Sequence, residues 1–531
     1  MVRETTLFSA TLGEDQKIEP PLGPLYIASA LENAGWKVDF RDYQLFEGAD
    51  AFDPGKILKC LDGSRSVLMI SCFVDMLPVV IAAAAAMKRE RPETYVVLGG
   101  PGPTAGAREF LEAFPQLDAI VMGEGEETIQ QWARAHGRAG DGPPTPIPGM
   151  VYRKDGRIVN GGPRERMLEL SSAQRPAYHL LDWKRYSAGR IITTRGCPYH
   201  CSFCDVAPLW GRKAVYRDVA SAVEEIILLR DLHGRTMVGI ADDTFVLNRD
   251  RVRAFCELMI ERRVGVQWGC FGRINLMTED LVALMAEAGC CAIFYGIDSG
   301  SPRILDRTFK ELDSDSILPT LKMSAEYFEC IEASFIWGYP FETYEDFLLT
   351  LELAARASNL APKVNIQLHM LSPLPSSPIY RDFAGELLPP DKEDANWLLL
   401  PAVFLDERAR TVRSVVESAP HLFPGFFGFP TPDKARKREK MFEVLRSLQA
   451  ALGKAVIDPA TNKLLTASDP DVEAALVGAA TSNADRIGTG LALALFRRMR
   501  LNRAERSGQT LAGARTASVV RERNDSLLKV L

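Results

Sequence analysis

Arg195-Gly196-Cys197-Pro198-Tyr199-His200-Cys201-Ser202-Phe203-Cys204 is the stretch that decides the reading of this chain. Its cysteines are spaced C-x3-C-x2-C. Three thiolates so close in one loop can hold three irons of a [4Fe-4S] cluster and leave the fourth open for a substrate or cofactor. Soft thiolate ligands suit iron–sulfur centres, whereas a structural zinc site is closed by a fourth ligand. Cys201-x2-Cys204 alone would serve zinc or redox chemistry equally well. The triple, framed by Pro198, Tyr199 and Phe203, is far more specific. His200 is read as a loop residue near the cluster rather than as a ligand.

Strand and helix signals alternate from this run onward. Arg190 to Thr194 reads as the strand that delivers the loop. Further strands end at Asp242-Asp243, near Arg273, at Asp298-Ser299-Gly300-Ser301, at Gly338-Tyr339-Pro340 and at Ser372-Pro373. Six strands with intervening helices suit a partial (β/α)6 barrel over 190–385, with its chemistry at the strand ends. On the last strand Asn365, Gln367 and His369 alternate with Val364, Ile366, Leu368 and Met370. The period of two puts the polar side chains on one face, expected to point into the barrel. They are candidate substrate contacts, with Tyr295 and Trp337 as candidate pocket aromatics.

The run resembles the cluster loop of the radical S-adenosylmethionine (SAM) enzymes. In that family the open iron chelates the amino and carboxylate groups of SAM, and reductive cleavage gives a 5′-deoxyadenosyl radical. The resemblance implies that Cys197, Cys201 and Cys204 hold the cluster, with Tyr199 and Phe203 beside SAM. It places Asp242 and Asp243 at the SAM amino group and Arg273 at its carboxylate, a task that suits a guanidinium. It sets Asp298, Ser299 and Ser301 where the family carries Glu-Ser-Gly-Ser, and Gly338 beside the adenine. Asp in place of Glu is a departure from that pattern.

Upstream, residues 1–145 also alternate strand and helix, as in a doubly wound, Rossmann-like parallel sheet whose ligands bind at the carboxyl ends of the strands. Pro21 to Gly35 reads as a helix, and Val67 to Cys72 as a strand buried on both faces. Two further strands run into Gly99-Gly100-Pro101-Gly102 and Gly123-Glu124-Gly125-Glu126. This order is similar to the cobalamin-binding domain found ahead of many radical SAM enzymes. The similarity implies cobalamin contacts from Pro21, Gly23, Gly99, Gly100, Gly123, Glu124, Gly125 and Glu126, with glycines admitting the ligand to the backbone. None of the six histidines precedes His136, so no histidine of these loops can ligate cobalt. Phe73, Val74, Asp75 and Met76, after the strand Val67 to Cys72, are expected to face the lower side of the corrin; a helix-capping role for Asp75 is the alternative.

The 531 residues, 47% hydrophobic, suit two or three globular domains. A net charge of −6 argues against a general nucleic-acid binder. Met1 to Ala10 is polar, without the apolar core and cleavage site of a signal peptide, and Val67 to Met87, broken by Asp75 and Pro78, is no membrane span. The ten cysteines without a secretory signal suit a reducing, cytoplasmic setting. The breaker-rich Gly140 to Gly149 opens a linker over 146–189 that contains a hairpin at Asp155-Gly156. The C-terminal part, 386–531, reads as mainly helical. Its Phe423, Phe426, Phe427 and Phe429 are expected to close over the barrel mouth, and Arg497 to Arg506 to form a basic helix.

The resemblance implies a [4Fe-4S] cluster, SAM and cobalamin as cofactors and an electron donor such as flavodoxin or ferredoxin. The implied function is a cobalamin-dependent radical SAM methyltransferase acting on a carbon or phosphorus centre of a metabolite or peptide. One SAM methylates the cobalamin, and a second gives the radical that prepares the substrate. A cyclase or rearrangement enzyme with the same cofactors is the alternative.

Overall fold

Val67–Cys72 is a short apolar run buried on both faces, and it lies inside the first sheet. The computed structural model describes residues 3–12, 18–135, 145–170, 174–389 and 407–451. The first sheet has seven strands: β1 (Arg3–Ala10), β2 (Trp36–Asp42), β3 (Val67–Cys72), β4 (Tyr95–Gly99), β5 (Ala119–Val121), β6 (Met150–Lys154) and β7 (Arg157–Asn160), in the order β2-β1-β3-β4-β5-β6-β7. The first five run parallel; β6 and β7 are antiparallel. Leu68, Ile70 and Cys72 enter one core, and Val67 and Met69 the other. Burial on both faces removes alternation, so the run reads as uniformly apolar.

Two features differ from expectation. Polar Arg3–Ala10 is a buried inner strand, because its hydroxyls are satisfied: Thr5 Oγ1 donates to Val67 O at 3.0 Å and Thr6 Oγ1 to Asp39 Oδ2 at 3.0 Å. The hairpin expected inside a linker continues the sheet beside β5, so the sheet ends at Asn160 rather than near 145.

The second sheet holds β8 (Gly189–Ile191), β11 (Met237–Ile240), β12 (Gln267–Gly272), β13 (Cys290–Asp298), β14 (Cys330–Trp337) and β15 (Val364–Met370), all parallel, in the order β15-β14-β13-β12-β11-β8. The short pair β9 (Thr194–Arg195) and β10 (Val215–Tyr216) flanks the cysteine run. β8 and β15 remain unpaired with each other, which makes this the expected partial barrel. Its outer core packs Ile293, Tyr295, Phe335, Trp337, Ile366 and Leu368 against the helices.

The aromatic segment corrects a third expectation. Helix Arg410–Ser418 lies on the first domain, and Phe423 and Phe426 bury there, Phe423 meeting Phe110 edge-on at 5.6 Å. Phe429 packs at the barrel end with Tyr339, Leu371, Ile304 and Ile379. Helix Lys434–Ala451 then buries Met441 in the barrel core. This segment therefore straps both domains. Arg497 to Arg506 lies outside the described residues.

Asp42, at the end of β2, accepts from Tyr186 Oη of the connecting segment at 2.9 Å. Burial pushes its carboxyl up to about 6, against the bonds from Tyr186 and Gln44. A raised folded pKa means that the folded protein holds the proton more tightly. The stabilisation is complete below about pH 4 and is lost as pH rises through about 6. Between those values the native protein is expected to lose up to about 3 kcal/mol relative to an Asp42→Asn variant. Denaturant titrations at pH 4, 5, 6 and 7 check it; parallel curves for the two proteins would refute it.

Candidate active site

Strand β11 ends in tandem aspartates that hold the cysteine run from beneath. Asp242, buried, accepts from Thr193 N at 2.6 Å, Thr193 Oγ1 at 2.6 Å and Thr194 N at 2.9 Å. Asp243, exposed, accepts from Gly196 N at 2.9 Å. Burial raises the Asp242 carboxyl's pKa, and those donors oppose the rise. The Asp242 carboxylate is thus committed to backbone and holds the loop, where the sequence pattern assigned it to the SAM amino group. Arg273, at the end of β12, stacks over Tyr199 at 3.5 Å and points Nη1 at Cys201 Sγ, 3.7 Å away. Thr244 Oγ1 lies 3.9 Å from Cys197 Sγ. The loop is anchored on its other side by Ser202 N to Thr308 O and Ile379 N to Ser202 O, both 2.9 Å.

The remaining strand ends converge on the same region. Asp298, in left-handed backbone, pairs with buried Lys310, a residue that the sequence reading missed. Ser299 Oγ bonds Thr350 Oγ1 at 2.9 Å, and Ser301 Oγ donates to Asp346 at 2.6 Å. Both hydroxyls are buried and tie their loop to helix Tyr344–Ser358, so they are occupied structurally rather than aimed at a ligand. Gly338 N donates to Glu342 Oε2 at 2.8 Å. Glu342 in turn pairs at 3.0 Å with Lys437 from the C-terminal strap, and both side chains are fully buried.

Inside the barrel, Glu332 was missed by sequence reading. It is fully buried and accepts from Gln367 Nε2 at 2.8 Å and Asn365 Nδ2 at 3.3 Å. Val364, Ile366, Leu368 and Met370 pack toward the helices, so Asn365, Gln367 and His369 take the opposite face, as the alternation predicts. Tyr295 and Trp337 do not line a pocket: both belong to the helix-facing core, and Tyr295 Oη bonds Ser324 Oγ at 3.0 Å. Their strands place odd-numbered residues outward. A Tyr295→Phe variant is accordingly expected to lower stability by about 1 kcal/mol and leave reductive SAM cleavage unchanged. Thermal melts and 5′-deoxyadenosine yield check this; a large loss of cleavage would return Tyr295 to the site.

In the first domain the strand-end loops divide their work. Gly100 has φ +91°, and a Cβ there would lie 2.7 Å from Cys72 O; one on Gly102 would lie 2.8 Å from Phe73 C. These glycines let the β4 loop nest on the β3 loop, a reason other than ligand approach. Phe73 is 46% exposed at the end of β3, beside half-buried Val74 and Asp75 and buried Met76. Asp75 does not cap the following helix, whose cap position is Met76, without a side-chain bond. Pro21 caps helix Leu22–Asn33, and Gly23 in its first turn is exposed. A Cβ at Gly123 would meet open space. Glu124 and Glu126 turn toward the barrel: Arg195 Nη1 reaches Glu124 Oε1 at 3.0 Å, and Nη2 reaches Glu126 Oε1 at 2.6 Å.

Residues 9–133 match the model of the B12 binding domain, and residues 191–354 that of the radical SAM superfamily. The chain thus carries a B12 binding domain ahead of a radical SAM domain. It is 28% identical to an uncharacterized methyltransferase of Pyrococcus horikoshii over 64% of this chain and 73% of that one. It is 28% identical to cytidylyl-2-hydroxyethylphosphonate methyltransferase of Streptomyces wedmorensis (60% and 69%) and to anaerobic magnesium-protoporphyrin IX monomethyl ester cyclase of Rubrivivax gelatinosus (67% and 65%). Its fold matches the radical SAM methyltransferase TsrM of Kitasatospora setae, solved with cobalamin and a [4Fe-4S] cluster, with a TM-score of 0.63 at 18% identity over 94% of this chain and 99% of that one.

The cofactor set of a cobalamin-dependent radical SAM protein fits the residues present. The three loop cysteines are free and half-buried. Among the described residues no three His, Cys, Asp or Glu side chains converge on a single ion; a cubane takes each cysteine on a different iron. Burial pushes the Cys204 thiol up to about 12, so iron binding there must displace a proton. Tyr339 has a buried hydroxyl without a hydrogen-bond partner among the described residues, in electrostatic reach of Asp298, Glu342 and Cys201. For cobalamin, exposed Phe73 offers an apolar surface at the strand end. Among the described residues, no helix is long and apolar enough to cross a membrane.

Proposed function

We propose that this enzyme transfers a methyl group from SAM, by way of its bound cobalamin, to a carbon or phosphorus centre of a small-molecule or peptide substrate. The contact of Arg195 with Glu124 and Glu126 supports a shared site, because it ties the loop assigned to the corrinoid to the cysteine run, and similarity to methyltransferases favours methyl transfer there. When bound, the cluster with SAM supplies radical chemistry and cobalamin supplies the methyl group. The chain's own part is to position and to exclude water. Asp242 and Asp243 fix the cluster loop, and Phe203 with Tyr339, Leu371, Ile379 and Phe429 covers one side of it. Arg273, Asp243, Asp298 and Gly338, at the strand ends beside the cysteine run, are the residues this reading assigns to SAM; Asp243 bonds Gly196 N and Arg273 stacks on Tyr199. Glu332, Asn365, Gln367 and His369 form a polar inner wall suited to a substrate with hydrogen-bonding groups.

The reductant fits a flavodoxin or ferredoxin in a cytoplasmic setting. A groove of about 770 Å³ that includes His200 of the cluster loop is lined by Arg212 and Arg381 and also by Asp306, Glu311, Asp313 and Asp315, a mixed-charge surface. Similarity to the anaerobic cyclase, at the same identity as to the methyltransferases, favours ring closure as the second reading. Anaerobic holoenzyme given methyl-deuterated SAM separates the two. Methyl transfer predicts release of S-adenosylhomocysteine and deuterium on the corrinoid, whereas 5′-deoxyadenosine with neither of these would favour the cyclase.

A further inference from the structure

The connection after β5 and the first turn of helix Gly125–Ala135 carry two carboxylates that the barrel uses. Glu124 precedes the helix and Glu126 lies in its first turn. Both reach Arg195, the residue two positions before Cys197, and the three side chains are 7%, 15% and 7% exposed. The guanidinium also lies over the Tyr26 ring, 5.0 Å from its centroid, on the first helix of the cobalamin domain. Glu124 is held in turn by Met167 N at 2.9 Å and by Arg166 at 3.6 Å. Arg166 then bonds the Arg195 carbonyl at 3.3 Å and the Lys213 carbonyl at 2.7 Å. Side chain and backbone of Arg195 are therefore both tied to one carboxylate network. In the same short connection, a Cβ on Gly123 would meet open space, at the strand end that the proposed function assigns to the corrinoid.

Buried charge pairs of this kind tolerate little displacement, because moving one partner leaves another charge desolvated. A ligand that fixes the Gly123 loop thus fixes Arg195, and a cluster that fixes Arg195 fixes the loop. We propose that Arg195 is a positioning residue that couples the two cofactor sites, so that corrinoid and cluster each bind more tightly when the other is in place. The coupling is reciprocal, as linkage requires. It rests on the cofactor set and is indifferent to whether the product is methylated or cyclised. It also accounts for two acidic residues in a loop that would hold a cofactor carrying its own phosphate: their charge is turned away and neutralised.

The test titrates full-length protein anaerobically with hydroxocobalamin, before and after reconstitution with iron and sulfide. For the unsubstituted chain the affinity is expected to rise on the order of tenfold when the cluster is present. Arg195→Met/Glu126→Gln removes one charge of each sign and leaves Glu124 with Arg166. It should bring that ratio to about one while the cluster-free affinity stays within roughly twofold. Arg195→Lys, which can reach one carboxylate but not both, should give an intermediate ratio and decides the matter if the double variant does not fold. An unsubstituted protein with a ratio of one overturns the proposal. So does a double variant that weakens binding equally in both states, which would leave Arg195 merely structural. A chain that binds no corrinoid in either state would overturn the cobalamin assignment together with the coupling.

Discussion

A Gly196→Ala protein is expected to fold both sheets yet lose most of its [4Fe-4S] cluster. Gly196 has φ +90°, and a Cβ there would overlap Lys213 O and lie 2.9 Å from Trp210 Cβ. The Lys213 carbonyl cannot retreat easily, since it accepts from Arg166 Nη1 at 2.7 Å. The strained conformation alone costs about 1–3 kcal/mol for a residue with a side chain, and the overlap adds to that. Relief requires the backbone to move, which breaks the 2.9 Å bond from Gly196 N to Asp243 and shifts Cys197 immediately after it. At about 3 kcal/mol the competent loop becomes roughly a hundredfold rarer. Iron content and the visible charge-transfer absorbance after reconstitution measure the result, with far-UV circular dichroism as the folding control. A full cluster complement would show that the loop is far softer than its packing indicates.

Lys437→Met should be nearly as damaging, although it lies 233 positions beyond the last cluster cysteine, Cys204. Lys437 Nζ donates to Glu342 Oε2 at 3.0 Å, to Glu342 O at 2.7 Å and to Thr431 Oγ1 at 2.9 Å, and neither charged side chain is exposed. Burial lowers the Lys437 pKa and raises that of Glu342, and each partner opposes the shift of the other. Removing one member leaves a buried charge uncompensated, a loss of about 3–5 kcal/mol. Because Glu342 also receives the Gly338 N–H, the disturbance reaches the strand-end loop proposed above to meet SAM, and SAM affinity should then fall with stability. Adding Glu342→Gln to the variant should recover part of the stability, since a neutral amide tolerates burial. Chemical denaturation and equilibrium SAM binding on the two proteins check this; a single variant as stable as the parent would dismiss the pair as inconsequential.

Much of this architecture was legible from spacing and period. Cysteine spacing marked the cluster loop, uniform apolar runs marked doubly covered strands, and alternation on Val364–Met370 gave the correct inner face. What escaped was partnership. Glu124 and Glu126 stand in a glycine-rich loop that looks like a ligand cradle, and nothing local shows that their partner lies 71 and 69 residues away. Lys437 and Glu342 are 95 residues apart. β1 escaped because hydroxyl side chains whose partners sit on neighbouring strands look like surface in a sequence. Phe423 and Phe426 escaped because an aromatic cluster announces burial without saying which core receives it. Asp242, Ser299 and Ser301 show the complementary limit: a motif marks where a polar group stands, while its hydrogen bonds decide whether it is available.

The strap has a consequence for biogenesis. Residues 409–441 insert Val412, Val416 and Phe423 into the core of the first domain and Met441 into that of the second. A ribosome makes the chain in order, so all strands of both sheets are complete before this segment emerges. Each sheet is built largely from neighbouring or near-neighbouring strands, an arrangement that permits folding domain by domain during synthesis. The last closure is therefore a long-range event, slow by virtue of its sequence separation. Between the completion of β15 and the docking of Lys437, the nascent chain passes through an interval in which the strand ends are formed but not yet covered, a natural opportunity for the bulky prosthetic groups to enter.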